Sequence, residues 1–529
     1  QPQLVELDLK GFVASNVVAR RRLLELVDEY GLATVKLVMA ELIRYSERRF
    51  RERLRELPDA EVRSQGFVDH DGHENRVYRI DLRLEKRGDT LVLDFSGSSP
   101  QAPGLINCVE STLVGAVFGG TAPLLAHDIP WNHGVLNALE LVAPAGLVVN
   151  AREPAPTGAG TISAGWVAVS TIVHALSKLL SLSERYGRHA QAVTNGAFDA
   201  LIVGDRNQYG EPYGTQVMDA QLGGGGATAV ADGIDQSGGF VTPRPNIPNV
   251  ETNEMHGPML YLFRGFLPDS GGDGEHRGGR SAGAALTPYD VERLRCVLTT
   301  QGVEVPVSPG IFGGLPGACN RHVLVRGARA LELLAEGSLP LPRRSTLEAL
   351  DVEALGGEVV ELAAKVDEFA LEAGDVLQYT WSGGGGYGDP ARRSPEAVAR
   401  DVREGVLSAE KAASVYAARP PRATSGEDAV VVAAYGCGMR VLRNGGRLDL
   451  GCDCGHVFGD AAENWKDAAR ADRLEGPSLP RGIRLHETLE LVRYACPACG
   501  AVHACDVQER GAPPLQDLLL APSAFAVAG

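Results

Sequence analysis

Apolar positions recur with helical spacing through the first sixty residues. Leu23, Leu26, Val27 and Tyr30 form one stripe, and Val35, Val38, Met39 and Leu42 continue the period beyond Gly31. This predicts two helices within residues 16–57, with Gly31 as the stop between them. The run Arg44–Arg55 alternates arginine with glutamate, as a solvated helix face or a subunit contact does. From Arg76 the period shortens to two: Val77, Tyr78, Ile80, Leu82 and Leu84 predict a half-buried strand, Glu85–Asp89 a turn, and Thr90–Phe95 a second strand. Residues 163–182 return to helical spacing but are apolar most of the way round, which predicts a buried helix and makes His174 a core histidine.

Proline and glycine punctuate the middle of the chain too densely for a repeated βαβ pattern. A third section opens at Asp389–Pro390. Ser394, Pro395 and Glu396 supply an N-cap, a first-turn proline and an acidic first turn; Gly405 ends that helix, and Ser408 caps another that runs to about Tyr416. Residues 419–428, polar and proline-rich, read as a linker. The fold class expected is therefore α+β and multidomain: a Gly/Pro-rich region over 1–418, then a small zinc-ribbon-like domain over 429–529.

Composition sharpens this picture in three ways. With 529 residues, 44% hydrophobic and 22% charged, the chain is globular and too long for one core. The net charge of −16 argues against general nucleic-acid binding. No run approaches the roughly 20 apolar residues of a membrane span, and no secretory signal is visible. Glycine is the outlier: 64 residues, well above a usual share of about 7%. The runs Gly223–Gly226, Gly271–Gly272, Gly278–Gly279 and Gly383–Gly386 read first as turns between packed strands, and second as a ligand lining.

Five of the nine cysteines fall between Cys452 and Cys505. That is not the spread of a secreted disulfide framework, and it suits a reducing cytoplasm. Cys452 and Cys454, then Cys496 and Cys499, form two close pairs, each followed by glycine. Such pairs make tight knuckles whose soft thiolates suit a tetrahedral structural zinc. Short strands at Leu448–Leu450 and Leu489–Tyr494 would complete a ribbon. Cys437, His456, His503 or Cys505 could replace one of the four ligands. Four protein ligands leave no open position, so the zinc is expected to stabilise and not to catalyse.

Several dispersed segments carry a resemblance. Asp94–Gln101 with Gly104–Asn107, Ile129–Gly134, Pro144–Gly146, Asn150 with Glu153–Pro156, Asn249–Asn253, Asp269–Gly272, Arg277–Arg280 and Gly383–Pro390 occur in the order seen in the hydantoinase B/oxoprolinase family. The likeness covers about residues 1–418. In the second domain, Cys452–Phe458, Asn464–Lys466 and Tyr494–Gly500 resemble the gamma subunit of acetone carboxylase.

The resemblance implies a subunit of an ATP-dependent ketone carboxylase of the acetone or acetophenone type. Such an enzyme activates ketone and bicarbonate by phosphorylation and yields a 3-oxo acid. The alternatives are a subunit of an ATP-dependent amidohydrolase (oxoprolinase, hydantoinase or lactamase) and a non-catalytic zinc-containing assembly subunit. Family members usually begin with about 200 further residues that hold the catalytic metal. The resemblance therefore implies that a partner polypeptide supplies that half and a hydantoinase A-like subunit handles ATP, this chain being inactive alone. No Walker-type loop is present, in agreement. ATP and a catalytic divalent metal are thus expected on partner chains, structural zinc on this one. Neither nucleic acid nor membrane is an expected partner. Asn107, Asn132, His276 and Arg277, polar residues in Gly/Pro-rich segments, are the candidate catalytic residues. The bland alternative is that they satisfy buried loop backbone.

Overall fold

The computed structural model describes residues 2–221, 223–243, 247–340, 347, 349–416 and 430–525. Helices α1 (Pro2–Tyr30) and α2 (Leu32–Arg55) meet at Gly31, whose φ of +83° breaks the run. Helix α1 starts well before the predicted boundary and has no buried residue. The end of α2 is anchored: Phe50 and Leu54 are fully buried, and Arg53 forks onto Asp128 at 2.6 and 2.9 Å. The predicted solvated run thus sets one face into the body.

The first sheet contains β1 (Ala60–Asp69), β2 (Val77–Arg87), β3 (Thr90–Asp94) and, after α3 (Glu110–Leu125) and the one-turn α4 (His133–Leu136), the parallel β4 (Leu139–Val142). Helix α5 (Ala164–Ser181) lies across β1 and β2. It comes so close that a Cβ on Gly66 of β1 would sit 2.5 Å from Thr171 Oγ1. Helix α5 also corrects one expectation. It is the one described helix long and apolar enough to cross a membrane, yet 94% of it is buried. Here its apolar surface is covered by α3, the sheet and the C-terminal region. His174 is a core histidine, with Nδ1 2.8 Å from Ser64 Oγ and Nε2 3.1 Å from Gly310 O. Burial pushes its pKa down to about 3, so the ring is neutral.

Two antiparallel sheets follow, built from β5 (Ala200–Arg206), β6 (Pro212–Gln216), β9 (Met259–Phe266), β10 (Ala282–Pro288), β11 (Arg293–Thr299), β12 (Arg321–Arg326), β13 (Glu358–Glu361), β14 (Lys365–Glu372) and β15 (Val376–Thr380); between β6 and β9 lie a minor ribbon, β7 (Gly238–Gly239) with β8 (Thr242–Pro243), and helix α6 (Val250–His256), and between β12 and β13 helix α7 (Ala330–Ala335). The orders β13-β12-β15-β10-β9 and β14-β11-β5-β6 share a core that includes Leu201, Leu286, Leu298, Leu371 and Tyr379. Helices α8 (Pro395–Arg403) and α9 (Ala409–Val415) are capped as predicted: Ser394 Oγ accepts from Ala397 N and Ser408 Oγ from Lys411 N. The predicted linker, 419–428, lies outside the described residues.

Beyond it, β16 (Val430–Tyr435), β17 (Met439–Asn444), β18 (Arg447–Cys452) and β19 (Val457–Asp460) form one sheet, and β20 (Arg470–Leu474), β21 (Leu489–Ala495) and β22 (Val502–Glu509) another. The last strand, β23 (Leu518–Leu519), pairs with Glu61 and Val62 of β1 in the first sheet. Charge reinforces this seam. Lys466, with no exposed side-chain surface, lies 2.5 Å from Asp506 and 3.1 Å from Asp517, and Asp517 is 3.8 Å from Lys178 of α5. Burial opposes the charge on Lys466, but the two aspartates more than offset it and raise its pKa.

The glycine runs are not turns. Extended segments around 190–196, 223–227, 270–279, 307–318 and 382–388 lie side by side and bond across: Gly279 N donates to Gly225 O, Gly384 N to Gly279 O, Gly272 N to Gly384 O, and Gly386 N to Leu315 O. What requires glycine is close approach, not a left-handed φ. A Cβ on Gly384 would stand 1.9 Å from Gly225 O, and one on Gly278 1.9 Å from Gly384 O. The same sterics reserve every third collagen position for glycine. The bundle runs through the middle of the chain and reaches the C-terminal sheets at Gly313, where a Cβ would meet Val502 O at 2.2 Å.

Overpacking typically costs about 1–3 kcal/mol, and more where, as here, the obstructing atoms are backbone. Gly384→Ala is therefore expected to lower Tm sharply or prevent soluble expression. Gly115→Ala, on α3 with nothing within 4 Å of the added methyl, is expected to leave Tm level or slightly higher. Thermal melts of the two variants check this pair.

Candidate metal centre and interdomain cleft

Two hairpin-like knuckles bring four thiols together. At the end of β18, Cys452 N donates to His456 O and Gly455, at φ +92°, turns the chain back to donate to Cys452 O. After β21 the pattern repeats: Cys496 N donates to Ala501 O, and Gly500, at φ +76°, donates to Cys496 O. The knuckles belong to different sheets, so their meeting ties the sheets together. Cys452 Sγ lies 3.6 Å from Cys499 Sγ and Cys454 Sγ 3.7 Å from Cys496 Sγ, and all four sulfurs fall within 4.8 Å of one another. A tetrahedral ion with metal–sulfur bonds of about 2.3 Å requires sulfur separations of about 3.8 Å. The donor set therefore fits one metal ion, and four thiolates favour a soft divalent ion over a hard one.

None of the other possible ligands joins this group. Cys505 packs among Leu474, Ile483 and Leu491, and Cys437 Sγ donates to Glu275 Oε2 at 2.7 Å. The His456 ring lies against Phe458. His503 is buried beside Phe458 and Trp465, with Nε2 3.3 Å from Cys452 Sγ. Burial pushes its pKa down to about 4, so the ring is neutral and can donate to a ligand sulfur.

The four candidate catalytic residues do not converge. Asn107, fully buried, accepts from Ala102 N and donates to Ala102 O, Gly104 O and Pro156 O. Its polar atoms are thus occupied in pinning one loop. Asn132 caps α4 by accepting from Gly134 N, and donates to Leu42 O and Ser46 Oγ of α2. Arg277 is an ion-pair residue, 3.4 Å from Asp235 and 3.5 Å from Asp401, and its backbone N–H donates to Asp232.

His276 lines a cavity. It faces a cleft of about 660 Å³ between the glycine bundle and β16–β17. Its imidazole lies 3.9 Å from Asp232, whose carboxylate is forked by Arg393 at 2.7 and 2.8 Å.

The sequence reading missed Glu275, Arg392 and Asp453, and named Cys437 only as a possible metal ligand; together they form the cleft wall. Glu275 takes the Cys437 thiol and Arg392 Nε at 2.9 Å; Asp453, between the two cysteines of the first knuckle, takes Arg440 Nε at 2.7 Å and lies 3.6 Å from Arg392. These partners are far apart in sequence, so only the Cys-Asp-Cys spacing placed one of them near a functional feature.

Comparison with known proteins matches both parts of the chain. The family model described as hydantoinase B/oxoprolinase matches residues 1–390, and that of the acetone carboxylase gamma subunit matches residues 441–526. The delta subunit of acetophenone carboxylase from Aromatoleum aromaticum is 26% identical over 424 residues, 78% of this chain and 61% of that protein. The caprolactamase beta subunit of Pseudomonas jessenii is 27% identical over 416 residues, 77% of this chain and 65% of that one. A nucleotide-free acetone carboxylase structure shares the fold at a TM-score of 0.68 and 22% identity, over 82% of this chain and 56% of that one. The chain thus spans less than two thirds of the length of these relatives.

A tetrathiolate site predicts one tightly held metal ion per chain. Elemental analysis is expected to give a ratio near one, falling towards zero in Cys496→Ser, whereas Cys505→Ser keeps its metal. Metal loss from the latter alone would reassign the ligands.

Proposed function

Because this chain belongs to the hydantoinase B/oxoprolinase family, we propose that it is a subunit of a multi-subunit ATP-dependent ketone carboxylase. The observation that carries this reading is the joining, in one chain, of that family's region to a region matching the acetone carboxylase gamma subunit. The amidohydrolase reading rests on a comparable likeness to the caprolactamase beta subunit, but it leaves the gamma-like region without a role.

Carboxylating a ketone requires removing a weakly acidic methyl proton and activating bicarbonate, a poor electrophile. Phosphorylation by ATP answers both needs, and the reacting groups must then be kept from water. We place ATP on a hydantoinase A-like partner subunit, and the catalytic divalent metal in the part of the family subunit that these residues do not span. Leu4, Leu7, Phe12 and Val13 of α1 are each more than half exposed, an apolar face suited to contact with further polypeptide. Zinc held by Cys452, Cys454, Cys496 and Cys499 supplies a cross-link between sheets and has no open position for substrate. The cleft side chains are this chain's contribution. The His276 imidazole can hold or pass a proton, and the guanidinium groups of Arg392 and Arg440 offer fixed donors to anionic intermediates. The nine free thiols suit a reducing cytoplasmic setting.

The test is the complex co-purified with its partners. ATP hydrolysis that depends on both a ketone and bicarbonate supports the carboxylase, whereas lactam- or hydantoin-stimulated hydrolysis supports the amidohydrolase. His276→Ala is expected to lower carboxylation by roughly a hundredfold with Tm unchanged. Arg277→Ala is expected to abolish turnover and lower Tm together, because it breaks buried ion pairs; unchanged turnover would remove Arg277 from the account.

A further inference from the structure

The metal knuckle is also a wall of the cleft. Asp453 sits between ligands Cys452 and Cys454, and its backbone N–H donates to Gly438 O at 3.0 Å. Its carboxylate belongs to a relay: Arg440 Nε at 2.7 Å on one side, Arg392 at 3.6 Å on the other, then Arg392 Nε to Glu275 at 2.9 Å, and Glu275 to the Cys437 thiol at 2.7 Å. Glu275 and Arg392 belong to the body, at the end of the glycine bundle; Cys437, Arg440 and Asp453 belong to the C-terminal sheets. The next residue after Glu275 is His276, whose backbone N–H bonds to Tyr387 O beside Gly388. Gly388 in turn leaves only 3.2 Å between an added Cβ and Cys437 Sγ. The relay is the ionic contact across the cleft, and its one fixed point on the C-terminal side is a residue gripped by metal ligands on both flanks.

We propose that Asp453 is a positioning residue through which the bound metal sets the geometry of the cleft that holds His276. This deepens the proposed function by giving the structural metal a role at the site, but it needs no particular substrate. Long side chains paired at a half-exposed surface gain little from charge alone. Here the knuckle backbone is immobilised by two metal–sulfur bonds, so Asp453 loses almost no freedom on pairing. Freed of the metal, Cys452–Cys454 keeps its hairpin hydrogen bonds, the Asp453 N–H bond to Gly438 O and the His503 contact to Cys452 Sγ, but loses the cross-link to the second knuckle. The relay then relaxes and Cys437 is released from Glu275.

The measurement uses the full chain and needs no activity. Cys437 is alkylated under native conditions and its labelling rate read by peptide mass spectrometry, with zinc content determined on the same samples. In Asp453→Ala, zinc is retained and Cys437 labels roughly tenfold faster than in the unaltered chain. Asp453→Asn, similar in shape but uncharged, labels at the same fast rate, and Asp453→Glu restores slow labelling. Chelation of zinc from the unaltered chain gives the fast rate as well. A Cys437 rate in zinc-loaded Asp453→Ala equal to that of the unaltered chain overturns the proposal, as does rescue by Asn. Absence of zinc from the unaltered chain would instead overturn the assignment of the metal centre, so the two failures are distinguishable.

Discussion

Backbone pressed against backbone, with no side chain between, is the contact on which the rest of the molecule depends. Gly224, Gly278, Gly384 and Gly386 each present a bare Cα to a carbonyl or amide of a neighbouring segment. Because the peptide groups of these segments bond to one another, a buried, irregular-looking region carries few orphaned donors. Apolar burial cannot supply this cohesion, as glycine has no side chain to bury. Dense hydrogen bonding and close packing do. The bundle links the double sheet around Tyr379 with the α5 layer, and its far end, from Gly313 to Asp389, receives the C-terminal sheets.

The C-terminal region shares that framework. Val502 N donates to Asp389 Oδ2 at 2.9 Å, Phe312 stacks edgewise on both Tyr387 and Tyr435, and β23 extends the first sheet. Around Lys466, two lysines and two aspartates form a neutral, almost fully buried group across the seam. Removing one partner of such a group leaves an uncompensated charge and costs several kcal/mol. The metal centre is therefore joined to the family fold through packing, pairing and charge, in addition to the covalent chain.

What was legible in the sequence was local. The helix pair around Gly31, the buried α5, the Ser394 and Ser408 caps and the paired cysteines each announce themselves within a few residues, because their physics is a period, a cap or a ligand spacing. Strand β1 escaped because its inward face includes Ser64 and Gly66, small residues chosen to let α5 come close, which blurs the alternation. The glycine runs were visible but misassigned to turns, since glycine's role here is relational: nothing in Gly383–Gly386 says that another glycine strand lies against it. The same holds for the cleft. His276 stood out by composition, whereas Glu275, Arg392 and Asp453 acquire meaning only when the fold brings them together. Asn107 and Asn132 looked similar to His276 in sequence, but the fold uses them to satisfy loop backbone.

The central claim is that metal centre and glycine bundle form one cooperative body. The direct measurement is a thermal or denaturant titration in which zinc release, read with a chromogenic chelator, and amide exchange across 383–388 are followed in the same sample. The account predicts that both transitions share one midpoint. Zinc released well before the glycine segments lose protection, with the bundle left intact, would contradict it.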